Sequence, residues 1–157
     1  MTEHMLQDVG KGRKFFVVVS RFNQSVTDRL AEAARACLIQ HGAASEDVHL
    51  VQVPGAWELP QAAKWILESG QADAVIALGC VVRGETPHFE FVSMAATVGL
   101  EALAREHGVP LAFGLLTTDN GEQALARAGG AKGNKGNEAA LAVLEMCSLA
   151  EELRGKS

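Results

Sequence analysis

The segment Gly84-Glu85-Thr86-Pro87-His88 carries the densest chemistry in the chain. It joins an apolar run to an amphipathic one, so it reads as a turn from a strand into a helix. Free backbone N–H groups and the positive end of the helix dipole would meet an anion there. Gly84 lets a ligand approach the backbone, Thr86 adds a hydroxyl, and Pro87 presets the first helical turn. The spacing is neither G-x-x-x-x-G-K-[ST] nor G-x-G-x-x-G, so nucleotide binding is not supported. His88 stands at the mouth of this turn. Imidazole titrates near neutral pH and suits proton transfer; the plainer alternative is a helix-end histidine without chemistry. His4, His41, His49 and His107 take the plainer role, in a tail, at helix ends and in a strand. His88-Phe89-Glu90 matches the H-x-E of zinc deaminases, but their P-C-x-x-C partner is missing. No other His, Cys or carboxylate set has metal-ligand spacing.

Other candidates sit at similar punctuation points. Phe22 follows the first apolar run and could stack on a flat heterocycle or staple the next helix. Trp57 and Glu58 follow Pro54-Gly55; a glutamate at a helix start usually compensates the dipole, but in a cleft it can accept hydrogen bonds from a polyol. Arg127, Lys132 and Lys135 surround a glycine-rich break, as a solvated charge run or as a phosphate clamp. Cys80 has no readable base partner, so a small apolar role outweighs a nucleophilic one.

These residues need a frame. Phe15 to Val19 is a continuous apolar run, the pattern of a strand buried on both faces. A helix follows, with Ser25 as N-cap and Gly42 as stop. Val48 to Val53 is a second strand, and a helix runs from about Glu58 to Ser69. Asp73 to Leu78 is a third strand, and a long helix runs from His88 to about Glu106, with Gly108 as stop. Leu111 to Leu116 is a fourth strand. Asn120 caps a helix with Gln123 in the reciprocal position, Gly129 and Gly130 interrupt it, and a last helix covers about Asn137 to Leu153. Strands alternating with helices imply a parallel sheet covered on both sides. The expected fold is α/β: a three-layer α/β/α sandwich of flavodoxin-like type with a four-stranded parallel sheet. Ligands in such folds sit beyond the carboxyl ends of the strands where strand order reverses. That rule selects Arg21 to Asn23, Pro54 to Glu58, Cys80 to His88 and Thr117 to Asn120. Residues 1–14 form an N-terminal arm, either a frayed end or a strand lent to a neighbouring subunit; residues 15–157 form one domain.

Bulk properties narrow the classes. The 157 residues are 48% hydrophobic, enough for one sizeable core. A net charge of −5 argues against non-specific nucleic-acid binding. The 3 cysteines lie far apart without a C-x-x-C pair, which suits a reduced, cytoplasmic setting. No signal peptide is readable, and no apolar stretch is long enough to span a bilayer.

Several segments, in order from about Phe15 to Met146, together resemble the lumazine synthase family. They are Ser20-Arg21-Phe22-Asn23, Val53-Pro54-Gly55-Ala56-Trp57-Glu58-Leu59-Pro60, the run Ala77 to Glu90, Phe113 to Asp119, and Gly133-Asn134-Lys135-Gly136. Each is weak alone, and in register they are specific. The resemblance implies a transferase that condenses 5-amino-6-(D-ribitylamino)uracil with 3,4-dihydroxy-2-butanone 4-phosphate, the penultimate step of riboflavin synthesis. It implies that Phe22 stacks on the pyrimidine, that Ala56, Trp57 and Glu58 meet ring and ribityl chain, and that Cys80, Val81 and Val82 line the pocket. Glu85 and Thr86 would lie at the phosphate and His88 would transfer protons. Phe113 and Arg127 would come from the adjacent subunit, Arg127 gripping the phosphate. The resemblance further implies no metal and no cofactor. It implies pentamers with shared sites, which in some members form decamers or icosahedral shells, and leaves riboflavin synthase as a candidate partner. Two departures stand out. Gly129-Gly130-Ala131 precedes Lys132 where the family often has a lysine directly after Gly-Thr, and Trp57 stands where phenylalanine is common. A catalytically weak flavin- or lumazine-binding shell protein is the alternative in another class, since flavins share the stacked ring and ribityl chain.

Overall fold

A strand built from Phe15-Phe16-Val17-Val18-Val19 has no polar face to give to water and must be covered on both sides. The computed structural model, which describes residues 3–155, covers β1 (Phe15–Ser20) in that way. Val17 and Val19 enter one apolar cluster and Val18 the other, as alternation along a strand requires. The chain continues through α1 (Gln24–Gln40), β2 (Val48–Val53), α2 (Leu59–Glu68), β3 (Ala74–Val82), α3 (His88–His107), β4 (Leu111–Thr118) and α4 (Gly121–Ala126). A small hairpin of β5 (Ala128–Gly130) and β6 (Gly133–Asn134) leads into α5 (Lys135–Arg154). Strands β1 to β4 form one sheet in the order β2-β1-β3-β4, every pair parallel. Helices α1 and α5 pack with Val17, Ile76 and Leu78 on one face; α2 and α3 pack with Val18, Val75 and Ala77 on the other. The result is the expected three-layer sandwich.

Three local expectations are corrected. The N-cap of α1 is Asn23, not Ser25; Asn23 sits in the left-handed region at φ 62° and makes no capping bond with its side chain. Asparagine tolerates that region better than other non-glycine residues. Strand β3 runs on to Val82 rather than stopping at Leu78, because β4 also extends, pairing Cys80 with Leu116 and Val82 with Thr118. The glycine-rich stretch after α4 is a hairpin and not merely a helix break: Gly129 and Gly133 take φ of 103° and 88°, which side chains resist. The cap at α4 holds, with Gln123 N donating to Asn120 Oδ1 at 2.9 Å, while Gln123 Oε1 accepts from Asp119 N at 2.8 Å.

Ahead of β1, residues Glu3–Leu6 form a 3-10 turn that buries Leu6 in the chain's own core. Gly10 N then donates to the His41 carbonyl at 2.8 Å. A strand lent from this segment to a neighbour would first have to release Leu6. Residues 1, 2, 156 and 157, at the outer ends of the expected arm and domain, lie outside the described residues.

Helix α5 lies flush on α1 at one point. A Cβ added at Gly136 would stand 2.0 Å from the Leu30 carbonyl oxygen, backbone that cannot swing aside. A glycine-to-alanine change inside a helix normally stabilises by up to ~1 kcal/mol. Here the sign should reverse: Gly136→Ala is expected to cost about 1–3 kcal/mol through overpacking, read from the shift in denaturant midpoint. A variant as stable as the parent would refute the close approach.

Candidate active site

Strand β1 lies between β2 and β3, so the segments leaving the carboxyl ends of β1 and β3 diverge to opposite sides of the sheet. A crevice opens where they part, and a cavity of about 800 Å³ lies there. That size falls within the range of pockets for small organic ligands.

One wall comes from the turn after β1. Arg21 N donates to Val53 O at 2.8 Å and Phe22 N to Pro54 O at 3.1 Å, so the pairing with the β2 side continues past the strand. Asn23 Nδ2 donates to the Cys80 carbonyl at 2.9 Å, tying the same turn to β3. Held between these bonds, Phe22 is 71% exposed and lines the cavity. It therefore does not staple α1; its ring is free to stack on a ligand. A second wall is the 3-10 turn Ala56–Glu58, which buries Ala56 and leaves Trp57 63% exposed. Trp57 and Glu58 both line the cavity.

The floor is the end of β3. Cys80, Val81 and Val82 line it, and burial pushes the Cys80 thiol up to about 11. At neutral pH it stays protonated and is a poor nucleophile. The far wall is the start of α3. No side chain caps this helix. Among the described residues, the N–H groups of Gly84, Glu85, Thr86, His88 and Phe89 have no protein acceptor, the arrangement that favours an anion. Gly84, Thr86 and His88 line the cavity, and His88 is exposed as the first residue of α3.

Nine expected site residues thus meet in one cavity: Phe22, Ala56, Trp57, Glu58, Cys80, Val81, Val82, Thr86 and His88. Glu85, Phe113 and Arg127 do not line it. Glu85 is exposed between two lining residues. Phe113 projects from the edge strand β4 and is 41% exposed. Arg127 is the exposed C-cap of α4. The cavity also includes Gly55, Phe89, Phe91 and Val92, which the sequence reading passed over. Helical spacing held a signal for two of them, because Phe91 and Val92 stand three and four residues after His88 on one helix face.

Among the described residues, no group of three His, Cys, Asp or Glu side chains is placed to hold a metal ion, and no helix is long and apolar enough to cross a membrane.

Residues 12–151 match the family model described as 6,7-dimethyl-8-ribityllumazine synthase. Proteins of that name from Nitratidesulfovibrio vulgaris strains DP4 and Hildenborough are each 53% identical over 143 residues, covering 91% of this chain and 92% of the relative. The protein of that name from strain Miyazaki F is 50% identical over the same coverage. With the match extending from before the first strand into the last helix, the chain belongs to the 6,7-dimethyl-8-ribityllumazine synthase family.

Proposed function

We propose that this chain condenses 5-amino-6-(D-ribitylamino)uracil with 3,4-dihydroxy-2-butanone 4-phosphate to give 6,7-dimethyl-8-ribityllumazine, phosphate and two molecules of water. The observation that carries the reading is a single cavity of about 800 Å³ that joins an exposed aromatic, Phe22, to an uncapped helix start with Thr86 and His88. A flat pyrimidine needs the first and a phosphate ester the second.

In this reading the pyrimidine lies on Phe22, with Ala56, Trp57 and Glu58 along the ring and ribityl chain. The phosphate meets the N–H groups around Glu85 and Thr86. The substrate's own 5-amino group attacks the ketone, and loss of water gives an imine. Elimination of phosphate leaves an enol that becomes a new carbonyl. The ribityl-bearing nitrogen attacks that carbonyl, and a second water leaves as the ring closes. His88 passes protons during these steps. Orientation of two substrates supplies most of the acceleration.

Arg127 and Phe113 complete the cavity from a neighbouring subunit in this proposal. Support comes from what a lone chain leaves bare. Both residues lie outside its own cavity, and α3 exposes Phe91, Met94 and Val98 in series, an apolar face of the kind that marks an interface. A homo-oligomer of pentameric rings with shared sites accounts for both. Riboflavin synthase, which would consume the product, is the proposed partner.

Mixing the two substrates with the protein and following lumazine fluorescence tests the reaction directly; no product would overturn it in favour of a flavin-binding shell protein. His88→Ala should keep its melting temperature while kcat falls roughly 10- to 100-fold, at or below the low end for a general acid–base because the attacking amine belongs to the substrate. A parental rate would remove His88 from the mechanism. Arg127→Ala should raise KM for the keto-phosphate about 10-fold or more, as loss of a charged hydrogen bond does, with KM for the pyrimidine unchanged; equal KM values would exclude it from the site. Cys80 offers a backbone carbonyl and bulk rather than a thiolate. Cys80→Ser should therefore stay within about threefold of parental kcat, and iodoacetamide should label the folded protein at Cys80 far more slowly than a free thiol at pH 8. Rapid labelling would contradict the protonated thiol.

A further inference from the structure

Arg83 has no place in the cavity, although Val82 and Gly84 on either side of it line the wall. Its side chain reaches three groups. Nε donates to Asp119 Oδ1 at 2.9 Å, Nη1 lies 3.5 Å from Glu90 Oε1, and the guanidinium carbon stands 4.6 Å over the Phe89 ring. Its backbone N–H donates to Thr118 O at 2.8 Å. Glu90 and Phe89 belong to the first turn of α3, beside His88. Asp119 belongs to the segment between β4 and α4, itself fixed by the Asn120 and Gln123 cap.

The turn this arginine spans has little else to hold it. Among the described residues, neither the backbone nor the side chains of Gly84, Glu85 and Thr86 make hydrogen bonds within the chain. These are the residues whose N–H groups the proposed function needs to keep open for phosphate. A turn that leaves its own donors unpaired must be held from outside.

We propose that Arg83 is a positioning residue which, through Asp119, Glu90 and the Phe89 ring, braces the β3–α3 turn in its anion-receiving shape. The planar guanidinium fork suits three partners in fixed directions, which a lysine ammonium does not. The brace rests on the phosphate-site reading of this turn. It also differs from simple attraction between Arg83 and an anion, and Asp119 separates the two. If Arg83 only supplied positive charge, removing the Asp119 carboxylate would free that charge and tighten anion binding. If Asp119 is half of a brace, removing it loosens binding.

The test uses the purified, assembled protein with inorganic phosphate as the probe, its dissociation constant measured by titration, alongside steady-state kinetics with both substrates. Arg83→Gln and Asp119→Asn should each weaken phosphate binding and raise KM for the keto-phosphate, roughly 3- to 10-fold. The double variant should be no worse than either within about twofold, as two halves of one device behave. Arg83→Lys should restore little. KM for the pyrimidine should hold, and melting temperatures should stay within about 2 °C because exposed ion pairs stabilise weakly. Tighter or unchanged phosphate binding in Asp119→Asn, or additive losses in the double variant, would overturn the brace. Parental protein that makes no lumazine while the phosphate pattern appears would instead defeat the reaction and leave the brace standing.

Discussion

The site depends on one constraint: a parallel sheet whose central strands, β1 and β3, are buried on both faces must send its connections to both sides. Chain order then forces a reversal beside β1, because β2 lies on one flank and β3 on the other. The segments that leave β1 and β3 go to α1 on one face and α3 on the other, as the two clusters behind them show. No side chain at the crevice itself has to hold it open. The burial of Val17, Val18 and Ile76 does it.

What the crevice does not supply is rigidity at its rim, where the backbone has left the sheet. Here the chain relies on a few directed bonds. Asn23 is the main one on the pyrimidine side of the proposed site. Its left-handed backbone turns the chain out of β1, and its amide spans to the Cys80 carbonyl. An ordinary N-cap would spend that side chain on its own helix. In this chain α1 goes without a capping side chain so that two strand ends can be held at a fixed separation. Across the cleft the start of α3 is also uncapped, and its first residues, His88 and Phe89, line the cavity. Helices α1 and α3 thus both go without a side-chain cap at their N-termini, a small loss of helix stability.

Much of this was legible in the sequence, and the parts that were not share a cause. The strands and helices showed because burial on both faces and helical spacing leave strong patterns, and the turn Gly84 to His88 stood out because its residue types are rare in combination. Asn23 was misjudged because capping preference is local, whereas its partner Cys80 is distant in sequence. The end of β3 was misjudged because its length is set by β4, through pairs such as Val82 with Thr118. Phe89, Phe91 and Val92 drew no notice because apolar residues at the start of a helix are ordinary, and only the crevice makes that face a cavity wall. The hairpin after α4 was seen as a break but not as a strand pair, since glycines announce freedom and not the form it takes. The expected role of Phe113 came from resemblance alone; for Arg127 the cations around the glycine-rich break hinted at a phosphate clamp, but nothing in the local spacing says which cavity it would serve.

The chain has 2 tryptophans and no tyrosine, and neither indole is buried: Trp57 is 63% exposed and Trp65, on the outer side of α2, is 64% exposed. Its near-ultraviolet emission therefore carries almost no report on the core. One emitter sits in the cavity wall and the other on a helix surface, so the intrinsic spectrum is a readout of what occupies the cleft and of what covers α2, separable by replacing either indole with phenylalanine.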